Sequence, residues 1–419
     1  MDINRRFFLK QTVLGGALFA SGIKLAASGT TYGREPDDTD FWTQLRDQFY
    51  LHKDRIYFNT GTMGPSPKMV VHALNELTIE FETAGEIKHE LAIETNEKLA
   101  AFLNCELSEI AITRNATESI NSIARSLPLA KGDEVIMTKD EHVGGSQIWV
   151  ALMKEKGITV KLIDLDYSGE NNFELFKKSI SDRTKVVIFS HVTCTTGMVL
   201  PAKEIAAYCR SKNIYTCIDG AQAVGMIEVN LKEINPDFYA GSGHKWLLGP
   251  KGTGILYINK TLLPKLNPVY AGANCADKYD LLTQEIEFAQ TARREEYGTR
   301  NTALTLALGK SIDFINQTGF QKIVQRTRDL ATLLKSELVK NEKVEILTPL
   351  NNNYAAAMVT FRIQGKEYHS LLNQIQHEFP FRLRGIYENK LNALRICCSV
   401  VNNEDEIKQL VSAVGKLSR

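Results

Sequence analysis

The chain has 419 residues, of which 43% are hydrophobic and 24% are charged, a composition typical of a soluble globular protein. Its length exceeds one ordinary domain, so we expect a large domain together with a smaller one. The net charge of +1 and the absence of blocks of like charge give no indication of a nucleic-acid partner.

The first 30 residues differ from the rest of the chain. Arg5 and Arg6 lie in the run NRRFFLK, and the apolar stretch VLGGALFASGI follows. This pattern is typical of an export signal, and the paired arginines resemble the twin-arginine signal of bacteria. An ordinary basic N-terminus is the alternative. The stretch is too short and too Gly-rich for a transmembrane helix, so we expect no stable membrane span. We predict export by the twin-arginine machinery to the periplasm, with Ala26-Ala27-Ser28 as the nearest candidate cleavage site.

The segment after the signal is predicted to be helical over about 33–54, and IYFN is predicted to form a short strand. The glycines and prolines of GTMGPSP break regular structure, and helical spacing covers 68–102. Helices then alternate with strands, which are predicted for EIAIT, DEVIMT, VKLIDLD, KVVIFSHVT and IYTCID. This alternation predicts an α/β fold with a mainly parallel, doubly wound central sheet and helices on both faces.

A second region is predicted from about residue 309. It begins with a helix-rich segment, continues with the strands AAAMVTFRI and NALRICCSV, and ends in a helix. We therefore predict a signal segment (1–30), an N-terminal segment that packs on the small domain (31–66), a large domain (67–308) and a small α+β C-terminal domain (309–419).

Candidate catalytic residues lie at two strand ends, where open α/β sheets bind their ligands. Asp219 ends IYTCID and Gln222 follows it, while Ser242, His244 and Lys245 follow the strand FYAG. A lysine can form an imine, and a carboxylate can keep a pyridinium nitrogen protonated, as pyridoxal 5′-phosphate (PLP) chemistry requires. Ser242 and His244 can donate to a phosphate. A lone Asp or Lys is usually a surface residue, but five such residues together argue for a PLP site.

Two further positions support this interpretation. Ala116 and Thr117 open the helix in RNATES, and backbone N–H groups at a helix N-terminus suit a phosphate, although an ordinary N-cap gives the same pattern. His142 ends KDEH and can lie on a cofactor ring, or it can be a structural histidine. The chain has no G-x-G-x-x-G before a helix, no P-loop and no metal-ligand spacing, which excludes those sites.

These motifs carry a resemblance to a known family. The segment from Asn59 to Val401 resembles the class V aminotransferase family of fold-type I PLP enzymes, and within it the isopenicillin N epimerase-like branch, a relative of the cysteine desulfurases. The segments that carry the resemblance are FNTGTMGPSP, RNATESIN, DEHVGGSQIW, SHVTCTTGMVLPAKEI, IDGAQAVG, GSGHKWLLGPKGTG, EYGTRNT and LRICCSVVNNEDEI. The pair IDGAQAVG and SGHKW is the most specific.

The resemblance implies a role for each matching residue. Lys245 would hold PLP as a Schiff base and transfer the proton, Asp219 would contact the pyridine nitrogen, Gln222 the phenolic oxygen, and His142 would stack on the ring. The phosphate would be held by Ala116, Thr117, Ser242 and His244. Thr299 would reach the phosphate of the partner subunit, which implies a homodimer with a shared active site.

The resemblance also implies a substrate site. Arg395 would bind the carboxylate of an amino acid with its planar fork, and Asn59 would lie near the substrate. One departure is Cys194, which stands where many relatives carry Asn near the phenolic oxygen. The implied activity is chemistry at Cα through an external aldimine, as epimerisation or transamination. A C–S/β-lyase and a non-catalytic accessory protein are the alternatives.

The cysteines argue against a cysteine desulfurase. There are seven, an odd number with no C-x-x-C pair, which argues against both a disulfide framework and a zinc site. In the desulfurases that resemble this chain, a mobile cysteine precedes the carboxylate-binding arginine. The corresponding stretch from Phe379 to Arg395 contains no cysteine. Cys397 and Cys398 follow in an apolar strand pattern and are predicted to be inert.

Overall fold

The computed structural model describes residues 38–86 and 88–419, so the predicted signal segment lies outside the described residues. Residues Trp42–Arg419 form one compact unit, and of the other unit, Met1–Phe41, only residues 38–41 are described. In the described part of the chain, no helix is both long and apolar enough to cross a membrane.

The first elements are helical apart from one short strand. They are α1 (Asp38–Arg46), β1 (Ile56–Tyr57), α2 (Lys68–Ala84) and α3 (Ala92–Leu103). The region predicted to be helical over 68–102 is two helices, because Gly85 ends α2 with φ at 65°, a conformation that favours glycine. Of the described residues in 33–54, only those of α1 form a helix, so the prediction was too long there.

The central sheet has seven strands in the order β2-β8-β7-β6-β5-β3-β4, and only β8 runs antiparallel to its neighbours. Its strands are β2 (Ile110–Thr113), β3 (Glu134–Thr138), β4 (Thr159–Ile163), β5 (Thr184–Ser190), β6 (Tyr215–Asp219), β7 (Phe238–Ser242) and β8 (Gly254–Ile258). The sheet confirms the predicted α/β class, with a mainly parallel sheet between two helical layers. The inner strands are apolar and buried, as strands covered on both faces must be.

The helices that cover this sheet are α4 (Ala116–Ser126), α5 (Val143–Lys156), α6 (Asn172–Ser179), α7 (Ala202–Ser211) and α8 (Leu231–Ile234). Between α4, α5 and the sheet lies a core that includes Trp149, Ile120 and Phe238, all with no more than 2% of their surface exposed. The sequence did not predict α6 or α8.

An exposed hairpin follows the sheet, with strands β9 (Ala276–Asp280) and β10 (Glu285–Phe288). The helices α9 (Thr302–Thr318) and α10 (Phe320–Leu338) come next. The helix-rich segment predicted from residue 309 is confirmed in type, but it begins seven residues earlier and is divided at Gly319, where φ is 93°.

A second, antiparallel sheet has the order β11-β12-β15-β14. The remaining elements are β11 (Val344–Ile346), β12 (Met358–Ile363), α11 (Tyr368–Glu378), β13 (Phe381–Arg382), β14 (Arg384–Ile386), β15 (Ala393–Cys397) and α12 (Glu404–Leu417). Strand β1 pairs in parallel with β13, and Phe58 packs in the same core as Phe361 and Ile396. The four-part division of the chain stays a prediction.

Candidate active site

The end of β6 and the turn after β7 bring a carboxylate and a lysine together. Asp219 ends β6 and is buried, and its Oδ1 accepts the N–H of Ala221 at 2.8 Å. Burial raises the pKa of Asp219, and the nearby charge of Lys245 opposes that shift. Burial likewise lowers the pKa of Lys245, against the charge of Asp219. A lysine whose pKa is lowered offers more of the free amine, which is the form that attacks a carbonyl.

Two glycines at the start of α5 allow close approach beside this pair. A Cβ on Gly145 would lie 3.1 Å from Asp219 Oδ2, and a Cβ on Gly144 would lie 2.6 Å from Thr117 Oγ1. His142 is the N-cap of the same helix, and its Nδ1 accepts the N–H of Gly144 at 3.1 Å. Burial, together with the charge of Lys245, lowers the pKa of His142 to about 4. The imidazole is therefore neutral at pH 7 and suited to stack on a ring.

The predicted phosphate residues lie on adjacent elements. Ala116 opens α4 behind the N-cap Asn115, and a Cβ on Gly254 at the start of β8 would lie 2.5 Å from the Asn115 backbone. Ser242 is the cross-strand partner of Gly254, so the end of β7 lies beside the N-terminus of α4. His244 is half-buried, with Nδ1 at 3.5 Å from the carbonyl oxygen of Thr253. This is a helix N-terminus with polar side chains around it, as a phosphate requires.

The loop after β1 packs directly on the turn that carries Lys245. The N–H of Gly64 donates to the His244 carbonyl at 2.8 Å, and a Cβ on Gly64 would lie 1.9 Å from the Lys245 carbonyl oxygen. Gln222 also holds this loop, because its Nε2 donates to the carbonyl of Gly61 at 2.8 Å. The second N–H of that amide can still donate to a cofactor oxygen.

Arg395 is fully buried on β15 and has only neutral partners. Its Nη1 donates to the Cys194 carbonyl at 2.6 Å and its Nη2 to Thr62 Oγ1 at 3.2 Å, and Thr62 in turn donates to Asn59 Oδ1 at 2.8 Å. No described residue accepts a hydrogen bond from its buried Nε. A buried cation without an anionic partner is costly, so this guanidinium fits an anionic ligand such as a carboxylate.

Sequence reasoning missed Thr62, which connects Arg395 with Asn59. Its position in the motif FNTGTMGPSP, three residues after Asn59, was the available signal. The predicted roles of both Asn59 and Arg395 stay predictions, but the structure places the two residues in one hydrogen-bonded chain.

Two other residues named from the sequence are Cys194 and Thr299. Cys194 is buried, and burial raises the pKa of its thiol to about 12, so the thiol is neutral; its contribution to the site is its carbonyl. Thr299 lies exposed in the bend before α9, and its predicted contact with the partner subunit stays a prediction. All seven cysteines are free thiols, of which only Cys105 is not fully buried.

This donor set fits PLP. The site offers a lysine beside a buried carboxylate, a helix N-terminus for the phosphate, and a backbone surface without side chains at Gly144 and Gly145 that a flat ring can approach closely. Together with the central sheet, these features define a PLP-dependent enzyme of fold type I. Residues 58–378 match the family Aminotransferase class-V, and the chain belongs to this family.

Several curated relatives cover most of the chain. It is 28% identical over 402 residues to isopenicillin N epimerase of Amycolatopsis lactamdurans, a match that covers 90% of this chain and 99% of the relative. It is also 28% identical over 335 residues to a probable cysteine desulfurase of Methanothermobacter thermautotrophicus, which covers 78% of this chain and 82% of that protein. An epimerase and a probable desulfurase therefore share the same sequence identity with this chain, and identity alone does not distinguish the two activities.

Solved structures show the same fold. A cysteine desulfurase from Thermococcus onnurineus superposes with a TM-score of 0.81 at 24% identity, covering 93% of this chain and 99% of that one. The cystine C–S lyase C-DES, in complex with cysteine persulfide, superposes with a TM-score of 0.78 at 26% identity and covers 86% and 97%. A mutant of C-DES carries glycine covalently linked to its PLP. PLP is therefore the cofactor of this chain.

Proposed function

We propose that this enzyme acts at Cα of an amino acid, in the manner of isopenicillin N epimerase, with Lys245 as the Schiff-base and proton-transfer residue. The observation that carries the proposal is that one short loop contacts both residues: a Cβ on Gly61 would lie 3.1 Å from Arg395 Nη2, and a Cβ on Gly64 would lie 1.9 Å from the Lys245 carbonyl oxygen. The residue proposed to hold the substrate carboxylate and the turn that carries the proposed Schiff-base lysine are therefore close neighbours.

The proposed roles follow from the contacts. PLP, when bound, withdraws electrons from the substrate Cα. Asp219 would keep a proton at the pyridine nitrogen, and the absence of a side chain at Gly145, where a Cβ would lie 3.1 Å from Asp219 Oδ2, leaves that oxygen uncrowded. Arg395 orients the substrate through its carboxylate, and Lys245 removes and returns the proton at Cα. His142 is neutral at pH 7, so its ring would stack on the cofactor without adding a charge beside it.

The turn between β14 and β15 argues against a cysteine desulfurase. A desulfurase needs an exposed, mobile thiolate beside the substrate, whereas residues 387–392 contain no cysteine. Cys194 lies close enough to Lys245 for the two groups to affect each other's pKa, but the raised pKa and buried side chain of Cys194 leave it without nucleophilic thiolate. Cys397 and Cys398 are buried at the end of β15.

A direct C–S/β-lyase is the second candidate, since it needs no protein thiol and a structural neighbour is a cystine C–S lyase. One experiment separates the candidates. The PLP-loaded enzyme is incubated in D₂O with single amino acids, including cysteine and cystine, and the products are read by NMR and mass spectrometry. Deuterium at Cα with inverted configuration supports the epimerase. Pyruvate, ammonia and released sulfur support the lyase, and alanine with a protein persulfide would establish a desulfurase.

We also propose a homodimer in which Thr299 reaches the phosphate bound in the partner subunit, and twin-arginine export to the periplasm with PLP already bound. The first rests on the resemblance at EYGTRNT and the second on Arg5 and Arg6. Sedimentation velocity at micromolar concentration tests the dimer, because a monomer of 46.9 kDa and its dimer are well separated.

A further inference from the structure

A second arginine lies beside the proposed carboxylate anchor. Arg384 on β14 is the direct cross-strand partner of Arg395 on β15. Residues directly opposite each other on antiparallel strands have their side chains on the same face, with Cβ atoms about 5 Å apart. The two guanidinium groups therefore project from the same face of the small sheet, on adjacent strands.

The neighbouring glycine shows which face this is. A Cβ on Gly385 would lie 2.4 Å from Cδ2 of Tyr368, so position 385 faces α11. Side chains alternate along a strand, and Arg384 therefore points away from α11. This is the side on which Arg395 contacts Cys194 and Thr62. The charge of Arg384 also contributes to the lowered pKa values of His142 and Lys245, which places it within reach of the site.

Arg384 differs from Arg395 in having a carboxylate partner. Its Nη2 forms an ion pair with Oε1 of Glu388, whose side chain is only 6% exposed. Glu388 Oε2 also accepts the backbone N–H of Tyr387 at 3.2 Å. Without Glu388, two like charges would lie opposite each other in a partly buried site, which is unfavourable.

The turn that carries Glu388 is anchored to the large sheet. The next residue, Asn389, has φ at 49°, and its Nδ2 donates to Asp140 Oδ2 at 3.3 Å and to the Tyr167 hydroxyl at 3.1 Å. Asp140 is fully buried just before His142 and also accepts from Thr195 at 2.7 Å. The carboxylate of Glu388 is therefore held by Arg384 and the Tyr387 N–H, and the backbone beside it is held by the contacts of Asn389.

We propose that Glu388 is a specificity-determining residue, which neutralises Arg384 and so leaves Arg395, of these two arginines, as the uncompensated cation for a substrate carboxylate. The site then selects amino acids with a single carboxylate over aspartate-like and glutamate-like substrates. This inference rests on the proposed function only through the role of Arg395 and does not depend on which bond at Cα reacts.

The test measures binding without turnover. Calorimetry on the PLP-loaded enzyme compares butyrate, a monocarboxylate, with succinate and glutarate, which carry two carboxylates. The Glu388→Gln variant removes the charge and keeps the shape, so the affinity for a dicarboxylate relative to butyrate should rise about tenfold or more, as one new charge-assisted hydrogen bond predicts. The double variant Arg384→Gln/Glu388→Gln should lose that gain.

Controls separate the possible failures. Glu345→Gln removes a similar Arg–carboxylate pair, with Arg362, on the exposed part of the same sheet and should change neither affinity. Thermal unfolding shows whether each variant is folded. If Glu388→Gln does not fold, Arg384→Gln leaves Glu388 unpaired, and 4-aminobutyrate should then gain about tenfold over butyrate.

Unchanged relative affinities in a folded Glu388 or Arg384 variant would overturn the proposal while leaving the proposed function intact. If the Arg395→Ala variant still binds butyrate, Arg395 is not the carboxylate anchor. Both proposals would then fail together.

Discussion

Replacing Arg395 by Lys keeps the positive charge and removes the planar fork. The guanidinium donates to the Cys194 carbonyl at 2.6 Å and to Thr62 at 3.2 Å and still has Nε free of any described partner. A single ammonium nitrogen cannot hold both protein contacts and also present two parallel donors to a carboxylate.

The magnitude follows from the hydrogen bonds that a lysine at this position cannot make. A hydrogen bond to a charged group contributes about 1.5–3 kcal/mol, so removing one such bond to the substrate carboxylate should raise KM about ten- to a hundredfold. The turnover number should fall less, because Lys245 and Asp219 are untouched. Steady-state kinetics measures both quantities, with the amino acid that reacts in the D₂O incubation described above as the substrate.

A matched control is Arg362→Lys on β12 of the same sheet, whose ion pair with Glu345 is exposed at the surface. Exposed pairs contribute about 1 kcal/mol or less to stability, and this change should leave KM unaltered. A folded Arg395→Lys enzyme with an unchanged KM would show that another group, or no carboxylate at all, anchors the substrate.

Three further changes test the cofactor site and the export signal. Lys245→Ala should abolish the borohydride-reducible link between PLP and the chain, as read by peptide mass spectrometry, and a link to another lysine would refute the assignment. Asp219→Asn should lower kcat about a hundredfold or more with little change in KM, because the carboxylate matters most when negative charge develops; an unchanged kcat would exclude the role. Changing Arg5 and Arg6 to Lys should retain the protein in the cytoplasm on fractionation, whereas continued arrival in the periplasm would rule out the twin-arginine route.

The residues at strand ends could be predicted because their signals are local. An apolar run that stops at Asp219, and another that stops at Ser242 shortly before Lys245, locate the ligand edge of a parallel sheet without any knowledge of tertiary contacts. Helix breaks were harder to predict. At Gly85 and Gly319 the apolar pattern continues on both sides, so only the positive φ seen in the structure shows that the helices end.

The residues around Arg395 could not be derived in this way. Thr62 and Glu388 become part of the site only through contacts between segments that are distant in the chain. Neither stands out locally, since Thr62 lies in a Gly- and Pro-rich loop and Glu388 lies in a short polar turn. The pairing of Arg384 with Arg395 depends on the register of β14 and β15, which a sequence pattern of alternating residues leaves open.

The contact between the loop after β1 and the end of β15 has a consequence for biosynthesis. The N–H of Gly61 donates to Sγ of Cys397, 336 residues later, and the N–H of Cys397 donates to the Phe58 carbonyl. Such a closure forms late, because the entropy of a long loop must be overcome before its contacts compensate. The strands that carry Asp219 and the turn with Lys245 are complete well before residue 395 is synthesised. A nascent chain therefore contains the strand ends of Asp219 and Lys245 before it contains Arg395, so the proposed substrate site can be completed only when the last segment of the chain has been made.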